Sequence, residues 1–198
     1  ELFGRGGELV AAKVGCSLAE GREILRRHIG VCLDTCHTAL QFEDAGEALR
    51  AYQNEGIRVP KIQVSSALRT DGSAEGLEAL RGFVEPVYLH QTIARGSDGG
   101  LFRWNDLPQA LDGLEGLSVE EVRVHFHVPL HFEREGVLGS TSGLITAEFL
   151  AQALKADPDV HLEIETYTWH VLPERLRSSS IEESIAAEFA WLNGRLPK

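Results

Sequence analysis

Four times along the chain a short apolar run alternates with a stretch of helical period. The apolar runs fall at 29–33, 61–65, 122–128 and 160–166, and the helical stretches at 18–28, 43–55, 73–83, 146–156 and 181–192. Alternation of this kind predicts parallel strands joined by right-handed crossovers, hence an α/β fold. Local signals mark the helix ends. Ser17 and Glu20 have capping-box spacing ahead of 18–28, and Arg26, Arg27 and His28 sit where the helix dipole favours cations. Gly56 follows 43–55 as a C-terminal stop, and Asp106 with Pro108 opens a further helix.

The pattern fits two architectures: an open doubly wound sheet, or part of a (β/α)8 barrel. A complete barrel takes ~250 residues, and this chain has 198 with four main strands. The expectation is a partial TIM barrel, its second half, with 1–198 forming the C-terminal portion of a single barrel domain. Residues 87–94 and 101–104 are strand-like around the turn 96–100, which predicts a β-hairpin inserted at about 87–104. The stretch 178–180 reads as a loop. No G-x-G-x-x-G follows a strand, so nothing points to a dinucleotide fold. The start, 1–7, lacks Met and a basic segment leading into an apolar run, and is read as the beginning of a piece of a longer protein, with no signal peptide visible.

Charge narrows the partners. Nineteen Lys and Arg against 30 Asp and Glu give −11, whereas nucleic-acid binding rests on a basic footprint. Nucleic acid is therefore disfavoured. No apolar run approaches the ~20 residues of a membrane span. The three cysteines, Cys16, Cys32 and Cys36, are odd in number and lack the second pair of a zinc cage. A reduced, cytoplasmic setting is the plainest reading, with Cys32 and Cys36 packing as small apolar groups.

Residue types that bind metals recur at the ends of the four runs. The first ends in Asp34-Thr35-Cys36-His37, and the second carries Gln63, Ser65 and Ser66. The third carries His125 and His127, with His131 beyond Pro129, and the fourth carries Glu163 and Glu165. His125 and His127, two apart on a strand, face one side, as do Glu163 and Glu165. Taken singly, Asp34 fits a helix cap, Gln63 a structural role, His125 and His127 satisfied core or surface histidines, and the glutamate pair a solvated strand face. Their joint placement at successive strand ends favours a site. Catalytic groups of parallel barrels gather there, and mixed N/O donors suit Zn²⁺, Mn²⁺ or Mg²⁺.

The segment Gly30-Val31-Cys32-Leu33-Asp34-Thr35-Cys36-His37 resembles the G-V-C-(I/L)-D-T-C-H signature of endonuclease-IV-like and xylose-isomerase-like TIM barrels. In those families the Asp and His ligate metal, a role the resemblance carries onto Asp34 and His37. Gln63 stands where endonuclease IV has a histidine, His125-Phe126-His127 where it has Asp-x-His, and Glu165-Thr166-Tyr167 resembles its last ligand segment. A likeness over nearly the whole chain is carried by GVCLDTCH, QFEDAGEALRAY, KIQVSSALR, VYLHQTIAR, VHFHVPLH and LEIETYTWHVLP. These phrases resemble the EboE family of metabolite-traffic proteins, which implies a xylose-isomerase-like barrel and a role in making or moving a secondary metabolite.

The resulting expectation is a divalent metal held by Asp34, His37, Gln63, His125, His127 and Glu165, with Glu165 and His127 catalytic and Glu163 orienting a histidine. The partner is a small sugar-like or secondary metabolite, and the chemistry is isomerase- or epimerase-like. The partial barrel implies an oligomer or a missing N-terminal half. One competing reading is an endonuclease-IV-like phosphodiesterase on abasic DNA. Another is a non-catalytic metabolite-binding barrel, with Tyr88, His90, Phe102 and Trp104 of the hairpin as contacts or as a cover for the rim.

Overall fold

A computed structural model of the chain describes residues 2–165, 168–177 and 180–198. It opens with a helical hairpin, α1 (Leu2–Val14) and α2 (Leu18–His28). Sequence reasoning placed no helix at the glycine-containing start. The glycines there allow close packing: a Cβ at Gly21 would lie 2.4 Å from the carbonyl oxygen of Gly7. The Ser17–Glu20 capping box forms as expected.

Strand β1 (Cys32–Asp34) runs directly into α3 (Thr35–Leu40), and α4 (Ala45–Asn54) follows, capped by Asp44 and stopped at Gly56 with φ +67°. Strand β2 (Lys61–Val64) is continued after two serines by β3 (Ala67–Asp71), then α5 (Ala74–Leu80). The hairpin β4 (Thr92–Gly96) and β5 (Leu101–Trp104) precedes α6 (Leu107–Gly113), which has Asp106 as its N-cap and Pro108 in its first turn. The long strand β6 (Val119–His127) is followed by β7 (Arg134–Glu135) and β8 (Leu138–Ser140). Helix α7 (Ala147–Ala156), strand β9 (His161–Ile164) and helix α8 (Ile181–Asn193) complete the chain.

The fold is mixed α/β, and the described residues form no closed barrel. One sheet is parallel, in the order β1-β2-β9, with Asp34 opposite Gln63 and Gln63 opposite Glu163. The other is antiparallel, in the order β5-β4-β6-β3-β8-β7. The run 122–128, expected as a third parallel strand, instead pairs antiparallel with β3 and β4. The reason lies at 67–71, which carry no separate strand signal next to 61–65. That segment forms β3 and supplies an antiparallel edge for β6. The predicted hairpin exists, but its strands are 92–96 and 101–104, and it is the edge of the antiparallel sheet.

Each sheet has its own apolar core. Phe83, Phe126, Val122, Val124, Leu68 and Leu107 fill one, against the antiparallel sheet. Ile62, Val64, Leu49, Phe149, Leu150 and Leu192 fill the other, between the parallel sheet and its helices. The serines between β2 and β3 stitch the two sheets together. Thr35 Oγ1 donates to the Ser65 carbonyl at 2.7 Å, and Ser66 Oγ donates to the Val128 carbonyl at 2.8 Å. The Val128 N–H returns a bond to the Ser66 carbonyl at 3.1 Å. Buried polar groups carry a penalty unless paired, and these pairs meet that requirement along the seam.

Candidate metal centre

Asp34 closes β1 and caps α3. Its Oδ1 accepts from the N–H groups of Cys36 and His37, at 2.8 and 3.3 Å, and from Ser65 Oγ at 2.8 Å. A capping carboxylate satisfies orphan helix donors and favours the first turn. Here it also sets the direction of the next side chains. Cys36 is turned fully inward, with 0% exposure, and His37 faces solvent.

The antiparallel sheet brings the other half. His125 and His127 lie on one face of β6, with their Nε2 atoms 3.2 Å apart. The rings of His37 and His125 have centroids 4.2 Å apart, and those of His125 and His127 are 5.1 Å apart. Among the described residues, Cys36, His125 and His127 each offer a donor atom, and these atoms all lie within 4.8 Å of one another.

Two more polar side chains border this group from the parallel sheet. Gln63 Nε2 donates to Glu165 Oε2 at 3.3 Å, while Gln63 Oε1 accepts from the Cys32 thiol at 3.3 Å. Asp34 faces Gln63 across the β1–β2 register and accepts from the His37 N–H, so the Gln63–Glu165 pair stands beside the strand end that leads into Cys36.

Burial sets the protonation state of each donor in the group. Burial holds His125 down to about 4, helped by the neighbouring His127 and His37. Burial likewise holds His127 to about 4, against the opposing pull of Asp34. Both imidazoles are therefore neutral at neutral pH, the form that ligates metal. Burial pushes the Cys36 thiol well up, and the charges of Asp34 and Glu165 add to the effect. Burial also raises Glu165, reinforced by Asp34, so its carboxyl is easier to protonate than an ordinary one.

A buried bridge fixes the strand that carries the histidines. His90, 1% exposed, places Nδ1 2.8 Å from the His125 carbonyl oxygen and Nε2 2.8 Å from Glu85 Oε1. Burial acts to raise Glu85, but the N–H groups of Val87 and Tyr88 and the His90 ring outweigh it and hold the carboxyl below its usual range. His90 was expected on the hairpin rim; it is instead packed against Phe126 with ring centroids 4.8 Å apart. A depression of about 380 Å³ opens beside the group, lined by Cys32, Asp34, His37, Gln41, Tyr52 and Gln63 among others. Its volume lies within the roughly 300–1,000 Å³ of small-molecule sites.

The structure thus brings Asp34, His37, Gln63, His125, His127 and Glu165 into one region. Glu163 does not orient a site histidine. Its carboxylate lies 2.7 Å from Lys61 Nζ and 3.7 Å from the exposed His161. His131 is exposed and not in the three-donor group. Thr166 and Tyr167 of the Glu165-Thr166-Tyr167 segment, and Ser178 and Ser179 of the expected loop 178–180, lie outside the described residues. Sequence reasoning missed Cys36 as a possible donor. The available signal was its place between Asp34 and His37 at a strand end, where an aspartate cap turns the second helical residue inward.

Compared with known protein families, curated proteins and solved structures, the chain gives no match.

Proposed function

We propose that the chain is a metal-dependent, xylose-isomerase-like protein of the EboE type. It acts on a small sugar-like or secondary metabolite by isomerase- or epimerase-like proton transfer. The observation that carries this reading is the convergence of Cys36, from α3 just past the parallel sheet, with His125 and His127 of β6, their donor atoms within 4.8 Å of one another. The parallel strands β1, β2 and β9, with Asp34, Gln63 and Glu165 at or just past their ends, support the half-barrel. The free cysteines Cys16, Cys32 and Cys36 support a reducing cytoplasmic setting.

The donor set fits a borderline-soft divalent ion. One sulfur and two neutral imidazoles suit Zn²⁺ better than Mg²⁺, which prefers oxygen. Cys36, His125 and His127 would hold the ion, with Asp34 and His37 beside them. When bound, such an ion polarises a carbonyl or hydroxyl oxygen and acidifies the adjacent C–H or O–H. The chain's own residues supply the rest. Glu165, with its raised carboxyl, takes and returns a proton, and Gln63 orients it through the 3.3 Å bond. His127 places a neutral ring next to that exchange. Tyr52, Gln41 and Gln63 offer hydrogen bonds to a polyhydroxylated molecule in the adjoining depression.

The test is zinc-loaded protein incubated with aldoses and ketoses in deuterium oxide, with C–H exchange followed by NMR. Exchange that depends on zinc and falls roughly 10²–10⁴-fold in Glu165→Gln is expected. Protein that binds no divalent metal, or exchange indifferent to Glu165, would overturn the reading.

A further inference from the structure

The antiparallel sheet has a second polar feature, distinct from the histidine end. Pairing across β6, β3, β4, β8 and β7 puts Arg69 opposite Arg123, Arg95 opposite Glu121, and both Arg69 and Arg134 opposite Gly139. Directly opposed residues share a face. Arg69, Arg95, Arg123 and Arg134 therefore stand on the same side, away from the apolar core. Four guanidiniums on one patch is a marked concentration in a chain of net charge −11.

One of the four, Arg123, is accounted for by the fold. Arg123 is 7% exposed, donates to the Ala39 carbonyl, and stacks 3.9 Å from the Phe42 ring centroid. Glu121 is shared by three cations: Arg123 Nε at 2.9 Å, Arg95 at 3.1 Å and Arg69 at 3.5 Å. One carboxylate offers about four acceptor positions and each guanidinium five donors, so N–H groups remain in excess. Of the other nearby acids, Asp71 is engaged with Ser73, and Glu120 reaches Arg95 Nε only at 4.0 Å.

The excess donors border a cavity of about 180 Å³ lined by Arg69, Arg95 and Arg134 together with the acids Asp71, Glu120 and Glu121. That is below the roughly 300–1,000 Å³ of drug-sized ligand pockets. The Nε donors of Arg69 and Arg134 are tied to backbone carbonyls of Ser140 and Gly136, which orients both planar heads. Planar forks held this way match the oxygens of a tetrahedral anion.

We propose that Arg69, Arg95 and Arg134 form a binding site for a phosphate group, either free inorganic phosphate or the phosphoryl group of a small monoester. Glu121 occupies the cluster when the site is empty and limits its affinity. The site is independent of the metal centre and of any reaction there.

The test is calorimetric titration of the full chain with inorganic phosphate and, separately, with glycerol phosphate, at low salt and after chelation. Saturable millimolar or tighter binding is expected. Tighter binding of phosphate identifies the free ion as ligand, and tighter binding of the ester identifies a phosphorylated metabolite. Arg69→Gln combined with Arg134→Gln should weaken binding about tenfold or more, and Glu121→Gln, which removes the competing carboxylate, should tighten it. No saturable binding of either probe, or binding unchanged in the double variant, would overturn the proposal. So would phosphate affinity that vanishes on chelation, because it would then belong to the metal centre.

Discussion

The Nε2 atoms of His125 and His127 approach to 3.2 Å on one face of β6. Two neutral imidazoles reach that distance when one Nε2–H donates to the bare Nε2 of the other. A second proton would place two positive charges in a largely buried site, and burial holds both rings to about 4. The Cys36 thiol lies within 4.8 Å of the pair and gives it a third donor atom.

Zinc stoichiometry measured by elemental analysis should approach one per chain. His125→Ala, His127→Ala and Cys36→Ser should each reduce affinity by a hundredfold or more, since each removes a donor atom. Gln63→Ala should leave zinc affinity within about threefold, since Gln63 bonds Glu165 and Cys32 and none of the three donors.

Metal uptake should release a proton. Burial holds the Cys36 thiol protonated in the absence of metal, and a ligating sulfur must lose that proton. Calorimetry in buffers of different ionisation enthalpy should report about one proton released per ion, and affinity should rise about tenfold per pH unit near neutrality. Cys36→Ser should abolish the proton release.

Chelated protein should lose stability as pH falls from about 6.5 to about 4. Both rings are depressed in the fold from an ordinary value of 6.5. Between the two values the unfolded chain binds protons that the native chain does not, so acid favours unfolding. The slope should approach about 1.4 kcal/mol per pH unit for each ring and flatten below pH about 4. Urea titrations across this range give the slope, and His125→Gln should reduce it by about half.

His90→Ala should destabilise the chain by roughly 1–3 kcal/mol, because it removes a buried ring that bonds both the His125 carbonyl and Glu85. It should also weaken zinc binding, since the His125 carbonyl loses its anchor. Denaturation midpoints and metal affinity measured on the same variant check both effects.

Gly21→Val should damage the helical hairpin and leave the metal centre intact. A side chain there meets the Gly7 carbonyl, with a Cβ contact of 2.4 Å. Overpacking of this kind costs roughly 1–3 kcal/mol. Hydrogen exchange should rise in α1 and α2 with zinc stoichiometry unchanged.

Much of the helix pattern was legible because caps and periodicity are local. Ser17, Asp44, Ser73, Asp106, Thr146 and Ser180 all cap helices whose extents match the periodic stretches to within a few residues. Strand partnership was not legible. The run ending in His125-Phe126-His127 alternates as a half-buried strand should, but its direction depends on 67–71, whose Arg69 and Asp71 hide a strand from any apolar count. The candidate donors at 34, 125, 127 and 165 were visible as residue types at strand ends. Cys36 stands between Asp34 and His37, but a buried cysteine reads the same whether it packs or ligates, so its place alone did not single it out.

The seam of Ser65 and Ser66 joins two sheets with separate cores, and the donor atoms above it come from both sides. An ion seated there acts as a rivet. By mass action, a free ion at a hundredfold its dissociation constant adds about 2.7 kcal/mol to the folded state. The persistence of the chain in a cell would then track its supply of that ion: starvation would first loosen the joint between the sheets, and turnover would follow.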